Sequence, residues 1–222
     1  MQKYVIIAAG GVGTRMQSTI PKQFLLVHSK PVLYYTILQF VNAYTDITII
    51  LAVPKNYIES VKELVTNYFA SIEIQIVEGG ATRYQSVSNA LQQINIDDAV
   101  IFVHDAARCM VSVALIQHCY EQTLVNGNAI PCITPTDSVR LVEVNENKYV
   151  DRNVIKLIQT PQTFMAADLK EAFALTYKAS FTDEASVAEN AGITINLVQG
   201  EVNNIKITTP IDLQLASLLL HP

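Results

Sequence analysis

Apolar positions along the chain fall into two alternating rhythms. Residues 5–9 (VIIAA), 47–53 (ITIILAV), 72–77 (IEIQIV) and 99–103 (AVIFV) are short apolar runs rich in β-branched side chains, the pattern of buried strands. Between the second and third, Ile58, Val61, Leu64, Val65 and Tyr68 share one face of a helix over residues 57–69. Leu33, Ile37 and Phe40 mark an earlier helix, and residues 86–94 a later one. This alternation predicts an α/β chain: a mostly parallel sheet flanked by helices, with ligands at the carboxyl ends of the strands.

One segment breaks the rhythm. Residues 139–151 (VRLVEVNENKYVD) alternate apolar and polar around Asn145-Glu146-Asn147, as an exposed hairpin does. In a wound α/β chain this predicts a protruding arm near residues 138–155, either packed on another subunit or solvated. Helices near 166–177 and 183–191, strands near 194–198 and 205–207, and a last helix from Pro210 follow. Proline's fixed φ suits a first helical position. With no repeat, low-complexity tract or linker, residues 1–222 read as a single domain.

Half of the 222 residues are apolar, enough for one sizeable core. The net charge of −5 argues against a sequence-independent grip on nucleic acid, but not against a few cations in a cleft holding a small anion. The first apolar run is too short for a secretory signal, and no run approaches the roughly 18 residues of a membrane span. Cys109, Cys119 and Cys132 show no CxxC spacing, so reduced, buried thiols in a cytoplasmic protein are expected.

Candidate chemistry begins right after the first run, in AAGGVGTRMQSTIPKQ (residues 8–23). Met16 stands where a dinucleotide fingerprint needs its third glycine, and no Lys-Ser/Thr pair follows Gly13 as in a P-loop. What remains is a flexible run whose amides can approach oxygens closely, flanked by Arg15 and Lys22. Gly79-Gly80-Ala-Thr-Arg83-Tyr-Gln-Ser86 again links a strand to a helix; its amides and Ser86 suit a base edge, and Arg83 a phosphate or the loop itself. His104-Asp105-Ala-Ala-Arg108 ends the fourth run. There Asp105 suits magnesium or a ribose hydroxyl, or a simple pairing with Arg108. His104 reads as a packed histidine. Asp137-Ser138, Asp151-Arg152, Gln159-Thr-Pro-Gln162, Thr182-Asp-Glu-Ala-Ser186 and Asn204-Ile-Lys206 each read first as caps, turns or surface charge. Lys206, set in an apolar run, needs a cleft or a partner for its charge.

Taken in order, AGGVGTRM…PKQ, GGATRYQSV, VHDAAR, DSVR, DR, QTPQTF, TDEASVAENAG and NIKITTPIDL resemble the 2-C-methyl-D-erythritol 4-phosphate cytidylyltransferase family over almost the whole chain. The resemblance implies a Rossmann-like nucleotidyltransferase fold and a homodimer made through the arm. It also implies CTP and Mg²⁺, with pyrophosphate and a cytidine-diphospho sugar alcohol as products. Arg15 and Lys22 would act at the CTP α-phosphate. Ala9, Gly10, Gly11, Gly13, Gly80, Arg83, Ser86 and Asp105 would bind the nucleotide. Arg108, Ser138, Arg152, Thr160 and Lys206 would contact the sugar phosphate, Ser138 and Arg152 from the arm across the dimer. Gly10 stands where many members have alanine, Cys109 where proline is usual and Ser138 where threonine is usual. Alternatives are a ribitol-5-phosphate cytidylyltransferase and a non-catalytic nucleotide-binding module. The chemistry is consistent with the residues: a phosphate monoester is already ionised near neutrality, so positive charge is needed rather than a general base.

Overall fold

The computed structural model describes residues 1–10, 16, 20–144 and 146–220. Strand β1 (Gln2–Ala8) precedes the glycine-bearing stretch. A 3-10 turn at Lys22–Phe24 leads to a short hairpin, β2 (Leu26–Val27) and β3 (Lys30–Pro31), then to α1 (Val32–Ala43) and β4 (Ile47–Val53). Next come α2 (Ile58–Tyr68), β5 (Ile74–Glu78), α3 (Arg83–Leu91) and β6 (Ala99–Asp105). Helix α4 (Val113–Asn126) starts at the capping hydroxyl of Ser112 and stops at Gly127, whose φ of 83° is the left-handed stop glycine provides without strain. It returns to β7 (Asn128–Ile133), the hairpin β8 (Val139–Val142) and β9 (Asn147–Val150), then β10 (Leu157–Ile158) and β11 (Gln162–Met165). Helices α5 (Ala166–Ala174) and α6 (Glu184–Asn190), strand β12 (Leu197–Gln199) and helix α7 (Pro210–Leu219) finish the chain.

Among the described residues, eight strands form the main sheet in the order β10-β7-β11-β6-β1-β4-β5, with β12 on β7. Strands β6, β1, β4 and β5 are mutually parallel, as the alternation predicts. Strand β11 is wedged antiparallel between β6 and β7, so the sheet is mixed at that side. The β8–β9 hairpin forms a separate two-stranded sheet.

The pleat divides the buried runs between two cores. Val5 and Ile7 face α1, α2 and α4, whereas Tyr4 and Ile6 face α3, α5 and α6. Helices thus cover both faces, as the alternation predicts, in the Rossmann-like architecture that the resemblance implies. A third cluster ties Ala216 of α7 to Ala107, Cys109 and Ile207. The expected strand at 205–207 is absent: that segment lies along the turn after β6, where Ile207 N donates to Ala107 O at 2.9 Å. No helix among the described residues is long and apolar enough to cross a membrane.

Candidate active site

Sheet register gathers the loops at one edge. Ala8 lies opposite Ala52 of β4 and Asp105 of β6, so the chain leaves β1 beside the end of β6. Ala9 N donates to Ala52 O at 2.9 Å, and Ala9 O accepts from the buried Gln23 Nε2 at 2.5 Å. The turn that carries Lys22 is thereby tied to the strand end that opens the glycine stretch. Gly11, Gly13 and Arg15 lie outside the described residues.

Gly10 and Gly80 converge on the hydroxyl of Ser86. A Cβ on Gly10 would lie 3.0 Å from Ser86 Oγ. The same oxygen accepts from Gly80 N at 3.1 Å and donates to Thr82 O at 2.9 Å. A Cβ on Gly80 would fall 2.2 Å from Gln85 Cβ, a close approach that only glycine permits. Thr82 and Gln85 form a capping box, which fixes where α3 begins and hence where Arg83 stands.

Asp105 is the hub of the charged groups. Its Oδ1 accepts from Arg83 Nε at 3.1 Å and its Oδ2 from Lys206 Nζ at 2.7 Å, with Arg108 Nε 3.9 Å away. The pairing with Arg108 read from the sequence is therefore the weakest of the three. Arg83 Nη1 also donates to Glu184 Oε1 at 2.5 Å. A cation in the first turn of α3 opposes the helix dipole, and the two carboxylates offset that penalty. Burial alone would raise the pKa of Asp105, but Arg83, Lys206 and Arg108 hold it well below the usual carboxylate range. Burial raises that of Glu184, only partly offset by Arg83. Three cations against two carboxylates leave one net positive charge beside the glycine loops, a field that attracts phosphates.

A hydrogen-bonded clasp holds this hub. Arg108 Nη1 donates to Asn204 O at 2.7 Å, and Asn204 Nδ2 to Thr160 O at 2.8 Å. Gln159 Nε2 donates to Glu201 O at 2.7 Å and so secures the loop that presents Lys206. Thr160 is itself buried, its hydroxyl accepting from Asp105 N at 3.1 Å. Burial pushes the Cys109 and Cys119 thiols up to about 12, so both stay protonated within the core.

Ser138 and Arg152 stand apart, exposed at the base of the hairpin, where Arg152 Nη1 donates to Thr136 O. Among the described residues, no hydrogen bond or ion pair links either to the Asp105 hub. The hairpin and the segment after it leave Leu141, Val142, Val144, Tyr149 and Val154 exposed, Val144 at 97%.

Four contributors, Gln23, Gln159, Glu184 and Asn204, lie in stretches the sequence marks only as loop, cap or turn, with no role of their own. Glu184 looks like surface charge in a helix start but is 1% exposed. Buried glutamines and asparagines have no periodic signature, because their partners are main-chain atoms far along the chain.

The family model described as 2-C-methyl-D-erythritol 4-phosphate cytidylyltransferase matches residues 3–222. The enzyme of that name from Phocaeicola vulgatus is 42% identical over 220 residues, covering 99% of this chain and 100% of its own. That from Lachnospira eligens is 38% identical, covering 97% of each chain. The crystal structure of the Francisella tularensis enzyme superposes with a TM-score of 0.82 at 36% identity, over 99% of this chain and 100% of that one.

Proposed function

The chain belongs to the 2-C-methyl-D-erythritol 4-phosphate cytidylyltransferase family and transfers a cytidylyl group from CTP to 2-C-methyl-D-erythritol 4-phosphate, giving 4-diphosphocytidyl-2-C-methyl-D-erythritol and pyrophosphate; from that premise we propose how its residues divide the work. The ribitol-phosphate and non-catalytic alternatives give way to this activity. The observation that carries the division is the Asp105 hub with its excess of cations, set beside the Gly10–Gly80–Ser86 cradle at one sheet edge.

In this reading Ala9, Gly10, Gly11, Gly13, Gly80, Arg83 and Ser86 form the nucleotide pocket, with Asp105 at the ribose and triphosphate side. The phosphate monoester of the second substrate is ionised near pH 7 and attacks the α-phosphorus without a general base. Arg15 and Lys22 stabilise the charge that grows on the phosphoryl oxygens, and Gln23 keeps Lys22 in register. Arg108 and Lys206 face the sugar phosphate. Thr160 serves as their support through the Asp105 amide, and Ser138 and Arg152 reach the same substrate from a second copy. The exposed apolar residues of the hairpin support that homodimer, since a second copy would remove them from water.

Among the described residues no group of three or more His, Cys, Asp or Glu can cage a metal. Magnesium, however, is commonly held by one or two carboxylates together with substrate phosphates. Both oxygens of Asp105 already face cations, Arg83, Lys206 and Arg108, so magnesium would be held chiefly by the substrate phosphates. Bound there, Mg²⁺ would supply further charge neutralisation to the triphosphate. One continuous main sheet supports a single nucleotidyltransferase domain over residues 1–222, and three buried free cysteines among the described residues support a cytoplasmic setting.

Pyrophosphate release tests this reading with CTP, UTP, ATP and GTP, each paired with methylerythritol phosphate or ribitol phosphate. Turnover is expected with CTP and methylerythritol phosphate. Equal turnover with purine nucleotides would remove the pocket assigned to the nucleotide.

A further inference from the structure

His104 lies at the end of β6, fully buried, with both ring nitrogens engaged by groups of the site. Nε2 is 3.1 Å from Arg108 O, and Nδ1 is 3.0 Å from Thr160 Oγ1. A carbonyl only accepts, so Nε2 carries the proton and Nδ1 is left as an acceptor. The Thr160 hydroxyl must then donate to Nδ1, which leaves its oxygen to accept from Asp105 N at 3.1 Å. The result is a directed chain, Asp105 N–H to Thr160 O–H to His104 Nδ1, with His104 Nε2–H to Arg108 O. Phe40 packs against the ring, with centroids 5.1 Å apart. We propose that His104, in this one tautomer, is a positioning residue that orients Asp105 through the Thr160 hydroxyl and Arg108 through its carbonyl.

Two features distinguish this role from simple packing. The ring fills a core position between apolar neighbours, where a histidine whose nitrogens lacked partners would carry a desolvation penalty. Each nitrogen meets a different arm of the site, so one ring sets the spacing between the Asp105 main chain and the Arg108 turn.

The inference rests on the reading that Asp105 serves the nucleotide and Arg108 the sugar phosphate, and the test separates the two ideas. Both substrate KM values are measured for Asp105→Asn and Arg108→Lys, then for two partial replacements of the histidine. His104→Asn places an amide oxygen near the Nδ1 position and keeps the acceptor for Thr160, while leaving Arg108 O without its donor. His104→Gln reaches Arg108 O and leaves the Thr160 hydroxyl without its acceptor. His104→Gln is expected to raise the KM that Asp105→Asn raises, and His104→Asn the KM that Arg108→Lys raises, each about tenfold for one lost hydrogen bond.

Matched pairings with the two substrates interchanged keep the positioning role and overturn the ligand assignment. Unmatched pairings, or a lower melting temperature with both KM values at wild type, overturn the positioning role. If His104→Gln does not fold, Thr160→Val must reproduce Asp105→Asn and Thr160→Ser must restore wild-type values. Equal behaviour of those two variants would equally sink the proposal.

Discussion

Arg83 Nη1 lies 2.5 Å from Glu184 Oε1, so the first residues of α3 and α6 are joined by one ion pair. The same guanidinium reaches Asp105 through Nε, which makes it the bridge between the end of β6 and the start of α6. Its side chain keeps 27% of its surface exposed, whereas that of Glu184 keeps 1%.

Removing the cation should therefore strand a buried charge. Arg83→Met is expected to destabilise the fold by about 3 kcal/mol, at the low end for breaking a buried pair. In urea unfolding, Glu184→Gln in the Arg83→Met background should cost less than in the wild type. Simple additivity of the two changes would mean that they do not form a coupled pair.

Lys22→Ala should leave the melting temperature near that of the wild type while turnover falls on the order of 10²–10³, the usual loss for one electrostatic donor. Pyrophosphate release from CTP reads this directly. Retention of more than about a tenth of turnover contradicts a role at the α-phosphate.

Arg152→Ala should raise the KM for the sugar phosphate more than that for CTP. Because Arg152 has no tie to the hub among the described residues, mixing Arg152→Ala with Lys22→Ala subunits is expected to recover activity, by forming mixed dimers with one intact site. Absence of any recovery, with mixed dimers verified by mass, would place Arg152 outside a shared site.

The buried imidazole also predicts a pH dependence of stability. Burial lowers the folded pKa of His104 to about 3, against an ordinary value of 6.5; Asp105 pulls upward, and Arg108 and Arg83 push down. The unfolded chain binds the proton more readily, so this contribution is complete above pH 6.5 and is lost as pH falls toward 3. At pH 5 the loss is about 2 kcal/mol. Asp105 adds a loss of the same sign only below the usual carboxylate range. Glu184, whose pKa burial raises, works in the opposite direction, so the His104 share is read as the drop in unfolding free energy from pH 7.5 to pH 5 in the wild type minus that in His104→Asn. Equal profiles in the wild type and His104→Asn contradict it.

The parallel half of the sheet was legible because its strands are buried apolar runs separated by amphipathic helices. β7 was not, since Pro131 within NAIPCI argues against a strand by local rules, yet its carbonyl accepts from Gln159 N at 2.8 Å. The four residues of β11 are too few to show a period. At the site, glycines and charged motifs stood out in the sequence, while the residues that hold them did not. Lys206 illustrates the division: its charge in an apolar run called for a partner, but only the fold identifies that partner as Asp105.

The bond between Gln23 and Ala9 has a consequence for how this enzyme can vary. Glutamate differs from glutamine there by one terminal group, yet it would set an oxygen against the Ala9 carbonyl and add a negative charge beside incoming phosphates. Leucine would fill the space and abandon the tether. Position 23 is thus constrained by a main-chain carbonyl, and a library built only from the glycines and cations of the site would overlook it.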